Sequence, residues 1–172
     1  MGTTKKRVLR GGNVYFNGTS TYGEAEEIVL PEIKFSKAEF KALGLAGVKK
    51  IFTGFEAMES SIKWKIPTNE VAIACANPFK SIMLMIRGSV DVYGTDLEEE
   101  MPIIYYVRVS PSNSLGGNFK SKEDLNTETK FDVDYVKYEV NGQEIVELDV
   151  DKNIYRVGGE DLFAKYRENT GL

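Results

Sequence analysis

Two-residue alternation of apolar and polar side chains runs through much of this chain, and that period belongs to strands. Within 82–93, Ile82, Leu84, Ile86, Val90 and Val92 share one face with Gly88, while Arg87, Ser89 and Asp91 share the other with Met83 and Met85. Ile62, Trp64 and Ile66 alternate with Lys63 and Lys65, and Ile103, Tyr105, Val107 and Val109 face away from Tyr106 and Arg108. Each segment reads as a strand with one face on a core and a more polar face outside. Those more polar faces carry Lys63, Lys65, Arg87, Asp91 and Arg108.

Residues 131–140 change register. Phe131, Val133 and Tyr135 alternate on odd positions, then Val136, Tyr138 and Val140 on even ones. A one-residue slip exchanges the two faces, so a bulge or bend near Tyr135 is expected. Asn141-Gly142 follows, a pair suited to a two-residue hairpin turn, and 143–150 reads as the returning strand. Helices are few. Residues 69–77 form one candidate, with Thr68 as N-cap and Pro78 as stop. Residues 160–169 form another, acidic at its start and basic at its end, with Leu162, Phe163 and Tyr166 on one face. Residues 36–50 read as a long loop with little regular structure, and the acidic run 96–100 and the polar stretch 110–126 as exposed connections. The expected fold is mostly β, a barrel or sandwich with one or two short flanking α-helices. A single domain, 1–172, would comprise a basic arm (1–12), the loop (36–50) and a C-terminal helix and tail (159–172).

The chemistry of enzymes is hard to place on this chain. Its 172 residues suffice for one sizeable core. There is no histidine, so His-dependent triads and His-containing zinc sites are excluded by count. The one cysteine, Cys75, lies in an apolar run and reads as a packing thiol. Asp132/Asp134 and Asp149/Asp151 each place two carboxylates on one strand face, where they could bind a cation or act as an acid/base pair. No third ligand follows at metal-loop spacing, and the polar stripe of a half-exposed strand is the plainer reading. Gly116-Gly117-Asn118-Phe119-Lys120 lacks the spacing of a phosphate loop. The expectation is a non-enzyme that holds no metal or cofactor. A net charge of −4 disfavours tight, sequence-reading contact with nucleic acid. Residues 1–10 are basic without a signal-peptide core, and no apolar run is long enough to cross a bilayer, so a soluble chain without stable membrane association is expected.

What remains points to assembly. Lys5, Lys6, Arg7 and Arg10 make a basic arm that either reaches an acidic neighbour or a phosphate backbone, or stays a solvated tail. Long strands with few edge protections invite pairing between chains, and closure into a ring removes open edges. A lone chain of about eight to ten strands cannot enclose a wide pore, so a pore would need an oligomer. Candidate inter-subunit contacts are Lys5, Lys6, Arg7, Phe40, Leu43, Leu45, Val48, Arg167 and Leu172.

Several stretches carry a family likeness in their order and spacing. They are Asn13-Val14-Tyr15-Phe16-Asn17-Gly18, then Gly23 and Leu30-Pro31; residues 59–66 with Trp64; Gly142-Gln143-Glu144-Ile145-Val146-Glu147-Leu148-Asp149; Gly158-Gly159-Glu160-Asp161-Leu162; and Arg167-Glu168-Asn169-Thr170-Gly171-Leu172. Over nearly its whole length the chain resembles the major tail tube proteins of contractile-tailed bacteriophages. The resemblance implies hexameric rings whose sheets join into one inner barrel and stack into a rigid tube. It implies a surrounding tail sheath protein, a tape-measure protein within during assembly, a baseplate tube initiator and a tail terminator at the ends, and double-stranded DNA passing transiently through the lumen, with Lys63, Lys65, Arg87, Asp91 and Arg108 as candidates to face the lumen wall or a neighbouring subunit. The place would be the virion tail, assembled in the host bacterial cytoplasm. The tube of a DNA-free phage-like bacteriocin (tailocin) or of a type VI secretion system are close alternatives. A monomeric ligand-binding β-barrel and a carboxylate hydrolase are distant ones.

Overall fold

A computed structural model describes residues 4–172. Its elements are β1 (Lys6–Phe16), β2 (Thr19–Ser20), β3 (Ala25–Val29), β4 (Phe35–Phe40), β5 (Lys49–Phe55), β6 (Met58–Trp64), α1 (Asn69–Cys75), β7 (Ile82–Tyr93), β8 (Leu97–Pro111), β9 (Thr127–Val140), β10 (Gln143–Asp149), β11 (Ile154–Val157), β12 (Glu160–Asp161) and α2 (Ala164–Thr170). Strands hold 56% of the chain and helices 8%, so the mostly-β class read from the alternation holds.

The large sheet runs β12-β11-β10-β9-β8-β7-β1-β2, with β6 on β9 and β3 on β6. Strand β9 organises it. One edge of β9 pairs with β8, and the other is shared: Tyr135–Val140 takes β10, while Thr127–Val133 takes β6. The bulge expected from the register change sits at this division. Arg108 lies opposite Tyr135 and Val109 opposite Val133, leaving Asp134 unopposed. The extra residue brings Phe131, Val133 and Val136 onto one face, where all three are buried. Strand β6 carries Met58, Ile62 and Trp64 to the same interior, and α1 adds Val71 and Cys75. Trp64 lies edge-on to Phe16 and donates Nε1–H to Thr129 Oγ1 at 3.2 Å, so its one polar atom is satisfied inside the core. The Asn141-Gly142 turn joins β9 to β10 with φ of 49° and 78°, as a two-residue hairpin turn requires.

Four expectations need correction. Residues 36–50 are no irregular loop: β4 and β5 pair across them as a separate antiparallel hairpin with its tip at 41–48. Thr53 is skipped between the Lys37–Phe52 and Ser36–Gly54 pairs, and this bulge breaks the alternation that would have revealed the strand. The arm 1–12 is, from Lys6 onward, part of β1 on β7; residues 1–3 lie outside the described residues. The acidic run 96–100 belongs largely to β8, from Leu97 onward. The two corrections explain each other. Basic β1 and acidic β8 flank β7, and Lys5–Glu98 (2.9 Å) and Arg10–Glu100 (2.9 Å) bridge over it. Fourth, the last helix begins only at Ala164, because Glu160 and Asp161 pair with Val157 and Arg156 instead. It ends on Gly171 at φ 73°, where Leu172 N–H reaches Arg167 O at 2.9 Å. Smaller differences are the end of α1 at Cys75, the absence of a cap bond from Thr68, and Ile66, which lies beyond β6 and is exposed.

Candidate assembly surfaces

The polar face of the large sheet is a mosaic of ion pairs. Arg108 on β8 is the centre of one. Its Nε donates to Asp134 at 2.8 Å, and its Nη2 lies 3.4 Å from Asp149 and 3.0 Å from Asp151. The β9 bulge aims Asp134 there, and the turn after β10 supplies Asp151. Burial works against the guanidinium charge, but Asp134, then Asp149 and Asp151, outweigh it and hold the Arg108 pKa above its ordinary value. Three of the four aspartates in the two sequence pairs thus serve one arginine, and Asp132 stands apart. Among the described residues no cluster of carboxylates or thiols has metal-binding geometry. Further along the face, Lys137 pairs with Glu139 (3.0 Å) and Glu144 (3.7 Å), and Arg156 with Glu147 (3.2 Å). Burial raises Tyr135 to about 12, so it stays a neutral phenol.

The candidates from the sequence separate into two groups. Some are occupied within their own chain. Asp91 is 3% exposed and takes Arg10 Nε on Oδ2 at 2.6 Å, so it presents no wall. Its Oδ1 has no hydrogen-bond partner. Lys5 is held by Glu98, and Lys63 by Glu27 at 2.7 Å. Arg167 bonds Asp161 and Asn153 O, tying α2 to β12 and the turn before β11. Burial pushes the Cys75 thiol up, in keeping with a packing role. Others stand free: Lys6, Arg7, Lys65 and Arg87 are exposed with no ion-pair partner among the described residues, and Leu172 is 71% exposed.

The hairpin holds the largest group of exposed apolar candidates. Phe40, Leu43, Leu45 and Val48 lie at or beside its tip, all exposed, with Leu43 fully so. Its base is anchored. Phe35, Phe52 and Phe55 pack on one another, and Phe52 and Phe55 on Phe163 and Phe55 on Tyr155, at ring separations of 4.9–6.3 Å. This aromatic knot fixes where the hairpin leaves the body, while the tip touches solvent.

Two further features had no plain sequence signal. The outer edge of β1 is open over residues 6–13, because β2 covers only Tyr15 and Phe16. The core side of the sheet also continues past the enclosed core as a half-open apolar strip, with Leu9, Val90, Ile103, Val140 and Val146 on that side. An unpaired strand edge beside a half-open apolar strip is the kind of surface with which another chain can pair.

Residues 6–171 match the family described as phage tail tube protein FII. The chain belongs to that family. It is also similar to the tail tube protein of Escherichia phage P2, 24% identical over 170 residues that cover 96% of this chain and 98% of that protein. Tail tube proteins of this family are structural components of the virion tail.

Proposed function

We propose that this tail tube chain closes into hexameric rings that stack as the rigid inner tube of a contractile tail, the conduit for DNA. The observation that carries the ring is the open β1 edge beside the half-open apolar strip. Pairing with an adjacent copy would satisfy the edge and bury the strip in one step. The ion-paired face of the large sheet would line the lumen. Arg108, Lys137 and Arg156 are each matched by carboxylates on the same face, which leaves Arg87 as a free cation there, so sliding phosphates meet few unmatched charges. A sheath would surround the tube, a tape-measure protein would occupy it during assembly in the host cytoplasm, and an initiator and a terminator would cap its ends.

Negative-stain microscopy of the concentrated protein tests this reading, with and without co-expressed baseplate genes. Striated hollow tubes or six-fold rings are expected. Small particles under both conditions would overturn it.

A further inference from the structure

Asparagine followed by glycine occurs at Asn17-Gly18 and at Asn141-Gly142. Both pairs make the same kind of two-residue turn. The first joins β1 to β2 with φ of 47° and 84°, and the second joins β9 to β10 with φ of 49° and 78°. All four residues are exposed. In each turn the asparagine N–H donates to a neighbouring strand, Asn17 to Met83 O at 2.9 Å and Asn141 to Pro102 O at 2.8 Å.

The side chains differ. Asn17 Oδ1 accepts the Met83 N–H at 3.0 Å, so two bonds of opposite direction hold Asn17 against β7. Asn113, which precedes Ser114, is also held, by Glu128 O on its amide and by Lys130 N–H on its carbonyl. The Asn141 carboxamide has no hydrogen-bond partner among the described residues. Gly142 places no Cβ beside its own backbone nitrogen. A loose carboxamide next to an unshielded nitrogen, on an exposed turn, is a reactive pair.

We propose that Asn141 is a site of spontaneous covalent modification, in which its carboxamide becomes a carboxylate through a cyclic imide, and that Asn17 is protected from the same change. Hydroxide takes the Gly142 N–H proton, and the nitrogen attacks Asn141 Cγ. A new C–N bond forms, the bond to the carboxamide nitrogen breaks, and ammonia leaves with a proton from water. Water then opens the five-membered imide at either carbonyl and gives aspartate or isoaspartate. One water is consumed and one ammonia released, with no oxidation or reduction. Local opening of the exposed turn lets Gly142 N reach Cγ. At Asn17 the bond from Met83 must break as well, which slows the step roughly fivefold, the weight of one net hydrogen bond. Isoaspartate adds a methylene to the backbone, so a two-residue loop no longer sets Val140 opposite Gln143. Either product adds a negative charge near the paired Glu139 and Glu144.

The intact chain tests this when held for weeks in mildly alkaline buffer at physiological temperature, then digested for mass spectrometry. A parallel sample is kept in urea. Labelling by an isoaspartyl methyltransferase identifies isoaspartate, which only the imide yields. In the folded chain both products are expected at 141, roughly fivefold ahead of 17, and in urea the two sites should react within about twofold of each other. An unmodified 141, or a folded chain modified as fast at 17, would overturn the proposal. Aspartate without isoaspartate would overturn the imide route. An excess at 141 that persists in urea would overturn the Met83 bond as the source of protection.

Discussion

At the residue scale, ion pairs hold the ends of the large sheet together. Asp91 is buried with one oxygen on Arg10 and the other unpartnered, so Arg10 offsets a charge that has little water. Arg10→Ala should lower the urea midpoint of the monomer, because it leaves the buried Asp91 carboxylate without its counter-charge, though by less than a fully buried pair would since Arg10 is largely exposed. Urea unfolding measures this, and Asp91→Asn in the same background should recover part of the loss. Asp161 tests the other end. Its bond from Arg167 lowers its folded pKa below the ordinary value. A lowered carboxylate pKa contributes stability above the unfolded value of about 3.9 and loses it as pH falls through the folded pKa. The gap in urea midpoint between wild type and Asp161→Asn should therefore be present at neutral pH and close in strong acid. A gap that widened in acid would contradict the assignment.

At the scale of elements, the β4–β5 hairpin is anchored at one end and free at the other. Replacing tip residues 41–48 by Asn-Gly should leave the core melting within a few degrees of wild type, since the aromatic base stays. The same variant should fail to pellet as polymer. Parallel loss of the melting transition would show that the tip belongs to the monomer's stability. Strands with one covered face, such as β7 and the 103–109 part of β8, were legible from alternation alone, and so were the β9 bulge and the Asn141-Gly142 turn. The hairpin was not legible, because Thr53 breaks its alternation and its outward residues include phenylalanines. The N-terminal half of β1 was hidden by its charges, whose acidic partners lie about 80–90 residues away. Of the candidate contacts, exposure was legible at the hairpin tip. It was not legible at Arg167 or Asp91, where folding brings a distant or unexpected partner.

At the scale of the whole molecule, one fact accounts for the rest: the sheet is larger than the core it covers. The half bearing β6, β3 and α1 is enclosed, while the far half keeps an apolar strip and an open β1 edge. A monomer gains nothing from such a surface, and in the proposed ring an adjacent copy would cover it. On this account the hydrogen bonds of one ring run from subunit to subunit, and stiffness comes from the continuous sheet. The most direct test is image reconstruction of assembled tubes at a resolution that separates strands. The account predicts six subunits per ring, with residues 6–13 of β1 paired to a strand of the adjacent subunit. Tubes in which that edge faces solvent, or rings of another number, would contradict it.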